Sequence, residues 1–366
     1  MNGVGRILIV DDSVVARAVI GRLIDASDRF LVVGAVGTAA AALEFLRRAT
    51  VEFILLDIEM PGIDGLTALP DLIEAGQGAK VLIVSSSAED GAAASVQALA
   101  LGAAETLIKP SPGALSGLFG PALIAKLERL SEPPTRMPPP TMVRSSAQPC
   151  VPEISPHRAL LPPSQTSRVA AVASDDYDIV AIGASTGGIH ALSQVFREIP
   201  TGFRLPIIIT QHLPASFMPY FAAQIALIAR RPCEVATDRL RVRPGRIIVA
   251  PGDAHLKCVA LGDGGAAFRL THDLASSGCM PSVDPMLASI AEVYGARMIA
   301  VVLSGMGRDG AEGARRVHER GGCVVAQDQQ SSVVWGMPGA VAAAGVADAV
   351  LSPEAIGRLI ATRRRP

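Results

Sequence analysis

One serine in the chain is placed for covalent chemistry. Ser185 follows the apolar run YDIVAIGA, lies between Gly183 and Gly187, and precedes the helical pattern IHALSQVFREI. This order of strand, glycine-flanked serine and helix is typical of the G-x-S-x-G nucleophile elbow. In such an elbow the hydroxyl lies at a helix N-terminus, where the following amides face a developing oxyanion. The pattern favours hydrolysis of an acyl bond. A glycine-rich turn that only binds phosphate or only packs is the alternative.

A serine nucleophile needs a base, and the base needs a carboxylate that holds its tautomer. His212 follows the apolar run PIIITQ, and Asp309 follows ARMIAVVLSGMGR. Both come at the carboxyl end of a predicted parallel strand, on the edge that carries Ser185. We therefore predict a Ser185, His212 and Asp309 triad. The other histidines lie in a Pro-rich segment, within helical patterns or in segments that the sequence does not place: His157, His190, His318, His255 and His272.

A dinucleotide site competes with this interpretation. Gly305, Gly307 and Gly310 have the G-x-G-x-x-G spacing after a strand, and Asp328 ends the next strand. That spacing and the acidic residue match the NAD-binding fingerprint. The fingerprint leaves Ser185 and His212 unexplained, however, so we favour the triad. A non-catalytic docking module is a further alternative.

Carboxylates gather at strand ends in the N-terminal third as well. Asp11 and Asp12 follow the first predicted strand and Asp57 ends the third, while Ser85 and Lys109 end the fourth and fifth. In a doubly wound sheet these ends meet in one crevice. Three clustered carboxylates repel one another unless a hard cation such as Mg²⁺ lies between them. A lysine and a hydroxyl beside them suit a phosphoryl group on one aspartate.

Bulk composition narrows the function classes. The 33 Lys and Arg residues nearly balance the 34 Asp and Glu residues, so overall charge does not favour nucleic acid or an anionic membrane. No apolar run is long enough for a membrane span, and the N-terminus lacks a signal-peptide pattern. The cysteines are odd in number and scattered, which favours a reducing compartment. We expect a cytoplasmic protein without membrane insertion; the cysteines are Cys150, Cys233, Cys258, Cys279 and Cys323.

The chain divides at a Pro- and Ser-rich segment. Residues 131–173 lack helical or strand periodicity and are predicted to be a linker. In domains 1–130 and 174–366, apolar strand-like runs alternate with helical patterns. This alternation predicts an α/β fold with two doubly wound parallel sheets, each covered by helices.

Residues 5–125 resemble a two-component receiver domain. The resemblance lies in DDS at 11–13, LLDIEMPGIDG at 55–65 and IKP at 108–110. It implies a flavodoxin-like fold and a histidine kinase as phosphodonor. At one position the sequence departs from the receiver pattern, and at another it leaves open which hydroxyl contacts the phosphoryl group. Thr106 stands where many receivers have Phe or Tyr, and three serines run together from Ser85.

The receiver resemblance also implies roles for the strand-end residues. Asp57 would be phosphorylated, and Ser85 and Lys109 would contact the phosphoryl group. Mg²⁺ would be bound by three carboxylates and one backbone carbonyl: those of Asp11, Asp12 and Asp57, and that of Glu59.

Residues 174–364 resemble the catalytic domain of the protein-glutamate methylesterases of bacterial chemotaxis, and the order of receiver, linker and catalytic domain is that of the same family. The matching motifs are GASTGG at 183–188, ITQHLP at 209–214, VAPGD at 249–253, PSVD at 281–284, LSGMGRDG at 303–310 and WGMPGA at 335–340. The resemblance implies a Rossmann-like three-layer domain that needs no cofactor.

That resemblance implies a reaction and its residues. Ser185 would be the nucleophile, His212 the base and then the acid, and Asp309 the orienting carboxylate, with backbone amides of Thr186 and Met306 at the oxyanion. The substrates would be glutamate methyl esters, and also glutamines, on the cytoplasmic domains of chemoreceptors, under control by receiver phosphorylation. One departure is Met280, before PSVD, where a basic residue is expected.

Overall fold

The computed structural model describes residues 4–85, 89–109, 119–131 and 177–366. Strands and helices alternate along the N-terminal part of these residues. They are β1 (Gly5–Val10), α1 (Val14–Asp25), β2 (Phe30–Val36), α2 (Ala39–Leu46), β3 (Phe53–Leu56), α3 (Gly65–Ala75), β4 (Lys80–Ser85), α4 (Glu89–Leu101), β5 (Glu105–Ile108) and α5 (Phe119–Ser131).

The N-terminal strands form a parallel sheet in the order β2-β1-β3-β4-β5. All four residues of β3 are buried, as expected of a strand covered by helices on both faces. The direction in which successive strands are added changes between β1 and β3. The crevice at the carboxyl ends of these two strands is the place at which sheets of this kind bind ligands. The predicted linker begins at Ser131, which is instead the last residue of α5. Residues 132–173 lie outside the described residues.

The C-terminal part has a second run of elements. They are β6 (Ile179–Ala184), α6 (Gly188–Glu198), β7 (Ile207–Gln211), α7 (Met218–Ala229), β8 (Cys233–Val235), β9 (Ile247–Val249), β10 (His255–Ala260), β11 (Ala266–Thr271), α8 (Val283–Tyr294), β12 (Met298–Val302), α9 (Ala311–Glu319), β13 (Cys323–Gln327), α10 (Met337–Ala343), β14 (Ala349–Leu351) and α11 (Pro353–Thr362), with short 3₁₀ turns at Ala215–Phe217 and Gly295–Arg297.

Seven of these strands form a second parallel sheet, ordered β14-β13-β12-β6-β7-β9-β8. Strands β7, β9 and β8 lie on one side of β6, and the later strands β12, β13 and β14 lie on its other side. The topological switch point therefore lies between β6 and β12, where ligand sites form in α/β sheets. The α/β fold with two parallel sheets, predicted from alternating strand and helix patterns, is confirmed.

An antiparallel hairpin is added to the predicted parallel architecture. Strands β10 and β11 pair with each other, from His255 opposite Thr271 to Ala260 opposite Ala266. The hairpin packs on α8 through buried apolar side chains such as Leu256 and Phe268. It carries His255, which the sequence alone did not place.

Helix α4 of the first sheet packs against α6 and α7 of the second. Buried apolar residues from both parts, including Leu99 of α4 and Leu192 of α6, belong to one continuous hydrophobic cluster. The covered surface includes the helix that follows Ser185. The two sheets therefore meet at the candidate site.

Candidate active site

Ser185 lies in the turn between β6 and α6, directly at the switch point. Its amide donates to Ser304 O at 3.0 Å, and its carbonyl accepts from Gly188 N at 2.8 Å and from Gln211 Nε2 at 2.9 Å. Gly187 has a φ of +75°, and a Cβ there would lie 2.6 Å from Val333. Glycine is required at this position by both conformation and space. The predicted order of strand, glycine-flanked serine and helix is present.

His212 directly follows β7, and its amide donates to Ala184 O at 3.1 Å. This bond holds the histidine beside the elbow. Its Nε2 lies 2.8 Å from Asp309 Oδ2. Because a carboxylate only accepts, Nε2 carries the hydrogen, and Nδ1 is left as the basic nitrogen of the neutral ring. The structure thus brings two of the three predicted residues into direct contact.

Four donors other than His212 hold the carboxylate of Asp309. Ser282 Oγ and Val283 N donate at 2.7 Å, and the amides of Asp284 and Gly310 donate at 3.3 and 3.1 Å. Burial alone would raise the pKa of Asp309, but the hydrogen bonds from His212, Ser282 and Val283 outweigh it and hold that pKa well below its usual range. Asp309 is therefore ionised and able to fix the tautomer of His212.

His255 stabilises the segment that carries Ser282, one of the donors to Asp309. Its side chain is 1% exposed. Its Nδ1 accepts from Ser282 N at 3.0 Å, and its Nε2 lies 2.8 Å from the carbonyl oxygen of Asp273. His255 thereby holds the backbone that presents Ser282 to Asp309. Neither His255 nor Ser282 was assigned a role from the sequence, and the motif PSVD was the only signal that pointed to this segment.

Ser185 and His212 line the same small cavity. No hydrogen bond joins Ser185 Oγ to His212 among the residues that the structure describes. In unliganded enzymes such bonds are often long and shorten only when substrate binds. The amides of Thr186 and Met306 donate to no other group within the described part of the chain. Thr186 lines the cavity that holds Ser185, whereas Met306 lines the neighbouring cleft that holds Asp309.

The cavity around Ser185 is covered by the first domain. Its walls include Leu99, Ala103 and Glu105 together with Ser185 and His212. The space beside the serine is about 20 Å³, which suffices for a water molecule but not for an ester side chain. The docked receiver therefore leaves little room for a substrate side chain beside Ser185.

Cys279 also approaches the histidine and aspartate. Its sulfur, a ring nitrogen of His212 and a carboxylate oxygen of Asp309 lie within 4.8 Å of one another. Burial raises the pKa of the Cys279 thiol, and the charge of Asp309 raises it further. The thiol is therefore protonated at neutral pH. Cys279 is not among the site residues predicted from the sequence.

The loop proposed as the dinucleotide alternative is occupied by the chain itself. Gly305 N donates to Val334 O at 3.0 Å, and Gly305 O accepts from Met337 N at 2.8 Å. Asp328 Oδ1 accepts from Ser331 N at 2.8 Å within its own turn. The first glycine of the fingerprint therefore has no free backbone face for a pyrophosphate.

At the other crevice, one carboxylate oxygen from each of Asp11, Asp12 and Asp57 lies within 4.8 Å of the others. Lys109 Nζ lies 2.6 Å from Asp57 Oδ2 and 2.8 Å from Asp11 Oδ2. Burial raises the pKa of Asp57 against the opposing effect of Lys109. Burial alone would lower the pKa of Lys109, but its bonds to both carboxylates raise it. One ammonium faces three carboxylates, and that excess of negative charge fits a divalent cation.

Ser85 ends β4 near this crevice, and its hydroxyl is 3.1 Å from that of Ser95 on α4. Both serines are buried. Ser85 therefore contacts the helix that packs on the second domain, a link that sequence analysis did not predict. The amide of Glu59 donates to Asp57 Oδ1 at 3.3 Å. The serines that follow Ser85 lie outside the described residues.

The fold and the two crevices define a response regulator whose second α/β domain carries a hydrolase-type serine elbow. Residues 7–116 match the response regulator receiver domain model, and residues 180–360 match the CheB methylesterase model. The chain belongs to the CheB methylesterase family with an N-terminal receiver domain.

Relatives match over nearly the whole chain. One is protein-glutamate methylesterase/protein-glutamine glutaminase 1 of Paramagnetospirillum magneticum, 39% identical over 94% of this chain and 92% of that protein. The protein-glutamate methylesterase/protein-glutamine glutaminase of Azospirillum brasilense is 39% identical over 97% of this chain and 91% of its own. The crystal structure of the Thermotoga maritima CheB methylesterase catalytic domain is 37% identical, with a TM-score of 0.49, and covers 51% of this chain and 98% of that one.

None of the helices in the described ranges combines the length and apolar character needed to span a bilayer.

Proposed function

We propose that this chain is a phosphorylation-activated protein-glutamate methylesterase and protein-glutamine glutaminase. Its substrates would be methylated glutamates and glutamines on the cytoplasmic domains of chemoreceptors. The observation that carries the proposal is the hydrogen bond between His212 Nε2 and Asp309 Oδ2, which leaves Nδ1 as the base in the cavity that holds Ser185. The relatives' names support the substrate class.

In the proposed mechanism, Ser185 Oγ attacks the ester carbonyl carbon and passes its proton to His212 Nδ1. The amides of Thr186 and Met306 donate to the oxyanion. When the tetrahedral intermediate collapses, the bond to methoxide breaks and His212 returns the proton, which releases methanol. Water then attacks the acyl-enzyme by the same route in reverse and frees the glutamate. For glutamine, ammonia is the leaving group instead.

Asp309 keeps the ring oriented throughout this cycle. The imidazolium that forms is stabilised by the adjacent carboxylate. Because five donors, including His212, hold Asp309, its carboxylate cannot rotate away when the ring becomes charged. Ser282 and His255 act as positioning residues through Asp309.

The first domain, residues 1–130, would be the regulator, followed by a linker at 131–173 and the catalytic domain at 174–366. Asp57 would accept the phosphoryl group from a histidine kinase, with Lys109 and Ser85 contacting it. Mg²⁺ held by Asp11, Asp12, Asp57 and the carbonyl of Glu59 would neutralise charge during the transfer. The three clustered carboxylates support this site.

Regulation would be steric. The receiver forms part of the wall of the cavity at Ser185, and the space of about 20 Å³ that it leaves supports this proposal. The contact of Ser85 with Ser95 supports a route from the phosphoryl group to α4, because a serine drawn toward the phosphoryl oxygens would release its partner on the docking helix. Phosphorylation then favours the uncovered arrangement.

Methanol release from methylated receptor tests the chemistry. Ser185→Ala and His212→Ala should each lower the rate by roughly 10³-fold or more, and Asp309→Asn should lower it less than either. A phosphonate should label Ser185 covalently, and NADH should not bind. A Ser185→Ala protein with a near wild-type rate would refute the triad. Absence of hydrolysis and labelling would instead support a non-catalytic docking module.

A further inference from the structure

The catalytic domain brings together three side chains with different donor atoms. Cys279 Sγ, a ring nitrogen of His212 and a carboxylate oxygen of Asp309 lie within 4.8 Å of one another. Only His212 and Asp309 have a part in the mechanism proposed above. Cys279 is half-buried, and its own polar contacts are to Ser277: its amide donates to the hydroxyl, and its sulfur lies 3.9 Å from the carbonyl oxygen. Nothing in the hydrolytic mechanism requires a thiol here.

The donor set suits one class of cation. Nitrogen, sulfur and carboxylate oxygen are the ligands of Zn²⁺, whereas hard cations such as Mg²⁺ avoid sulfur. A thiolate and a carboxylate together cancel the two positive charges of the ion, so the complex is neutral in a half-buried position. Zinc lies about 2.0 to 2.3 Å from such ligands, which places them roughly 3.3 to 3.8 Å apart around a tetrahedron. The side chains therefore need to move by about 1 Å or less.

The cluster is open to solvent on a side that the receiver does not cover. Cys279 and Asp309 line a broad surface cleft with Met306 and Arg308. All the residues that line this cleft belong to the catalytic domain. The covered cavity at Ser185 is separate from it and includes residues of the receiver. A metal ion can therefore reach the cluster in both the docked and the released arrangement.

We propose that His212, Cys279 and Asp309 form an inhibitory site for Zn²⁺. The ion takes the position of the hydrogen between His212 Nε2 and Asp309 Oδ2 and binds the sulfur of Cys279, with water as a fourth ligand. The thiol proton is released to solvent, and the ring hydrogen moves from Nε2 to Nδ1. Protonated Nδ1 cannot accept the proton of Ser185, so the base is blocked. The inhibitory consequence depends on the proposed hydrolase function, but metal binding does not.

Cobalt titration of the full-length protein tests binding without any assay of activity. Co²⁺ replaces zinc in such sites, and a thiolate ligand gives it a charge-transfer band in the near ultraviolet. We expect this band to appear and saturate on titration, to disappear in Cys279→Ser, and to remain in the matched control Cys233→Ser, whose half-buried cysteine lies in β8. The aspartate cluster of the receiver contains no sulfur and cannot produce the band.

Inhibition is then measured as methanol release in zinc titrations, with each variant compared with its own metal-free rate. The zinc concentration for half-inhibition should rise at least tenfold in Cys279→Ser and stay unchanged in Cys233→Ser, and a chelator should restore the wild-type rate. Absence of the cobalt band, or its persistence in Cys279→Ser, would overturn the site. Equal zinc sensitivity in Cys279→Ser and wild type would overturn the inhibition. A cobalt band in a protein without esterase activity would contradict the proposed function and leave the metal site standing.

Discussion

Thr186 Oγ1 donates a hydrogen bond to Glu105 Oε2 at 3.0 Å, which ties the residue after Ser185 to the last strand of the receiver. Within its own domain, Glu105 Oε1 also lies 3.3 Å from Lys126 Nζ. A second contact across the interface joins His190 Nδ1 to the carbonyl of Ala100 at 3.2 Å. The receiver thus contacts the elbow and the helix that follows it, and the carboxylate of Glu105 lies in the cavity where an oxyanion would form.

Loss of the Glu105 carboxylate should therefore weaken docking. A hydrogen bond to a charged group contributes about 1.5 kcal/mol or more, which corresponds to roughly a tenfold change in a docking equilibrium. We expect Glu105→Ala to raise the methanol release rate of the unphosphorylated protein threefold to tenfold. Lys126→Ala is the matched control, because it removes the ion pair within the receiver and leaves the contact with Thr186. Equal rates in Glu105→Ala and wild type would show that apolar packing alone maintains the cover.

Removal of residues 1–173 should raise unstimulated activity, since the docked receiver leaves a space of only about 20 Å³ beside Ser185. Asp57→Ala should keep the full-length protein at its low rate and unresponsive to a phosphodonor. The measurement is methanol release, with a thermal melt to show that the truncated domain is folded. A folded truncated domain no more active than the unphosphorylated full-length protein would rule out occlusion. The receiver would then have to act positively, for example by recruiting receptor.

Ser85 should be the serine that senses the phosphoryl group. It ends β4 beside the aspartate cluster and contacts Ser95 on α4, the helix that packs on the catalytic domain. Movement of Ser85 therefore changes both the phosphorylation crevice and the docking surface. We expect Ser85→Ala to lose most of the stimulation by a phosphodonor, measured as the ratio of stimulated to unstimulated methanol release. Ser86→Ala and Ser87→Ala are controls of the same chemistry, one and two residues further on. Loss of stimulation in Ser86→Ala with a normal ratio in Ser85→Ala would move the assignment by one residue.

The strand-end residues could be predicted because parallel strands bring their carboxyl ends to one edge. From this rule we predicted that Ser185, His212 and Asp309 lie close together although their segments are far apart in the sequence. The same rule predicted the cluster of aspartates in the receiver. Periodicity also predicted the sheets, because strands buried on both faces are continuous apolar runs.

Contacts that depend on how separate segments pack together have no corresponding pattern in the sequence. Ser282 bonds to both Asp309 and His255, each 27 residues away in the sequence. His255 lies on the β10–β11 hairpin, which no sequence pattern predicted. Thr186 and Glu105 are 81 residues apart and meet only because two domains dock. The approach of Cys279 to the triad has the same origin. Spacing along the chain carries no information about these distances.

Asp284 makes the stability of the catalytic domain depend on pH. Burial raises its pKa from an ordinary value of 3.8 to about 6, and the nearby charge of Asp309 adds to the effect. A carboxyl whose pKa is higher in the folded than in the unfolded state destabilises the fold when it is ionised. The cost is absent below about pH 4, grows between about pH 4 and 6, and is fully present above about pH 6. This group therefore lowers the free energy of unfolding as pH rises through that window.

Asp284→Asn should remove that cost, because the amide can still accept from Gly313 N, which donates to Asp284 Oδ1 at 2.7 Å, and carries no charge beside Asp309. We expect its free energy of unfolding to exceed that of wild type by roughly 1 to 2 kcal/mol near pH 7.5, after allowance for partial solvent screening, and to match it near pH 4. Urea denaturation at the two pH values measures the difference. Glu312→Gln on the same cleft is the control, because the Arg315 contact lowers the pKa of Glu312 and its substitution should bring no gain at neutral pH. An equal gain from Asp284→Asn at both pH values would show that packing, rather than the charge of Asp284, sets the effect.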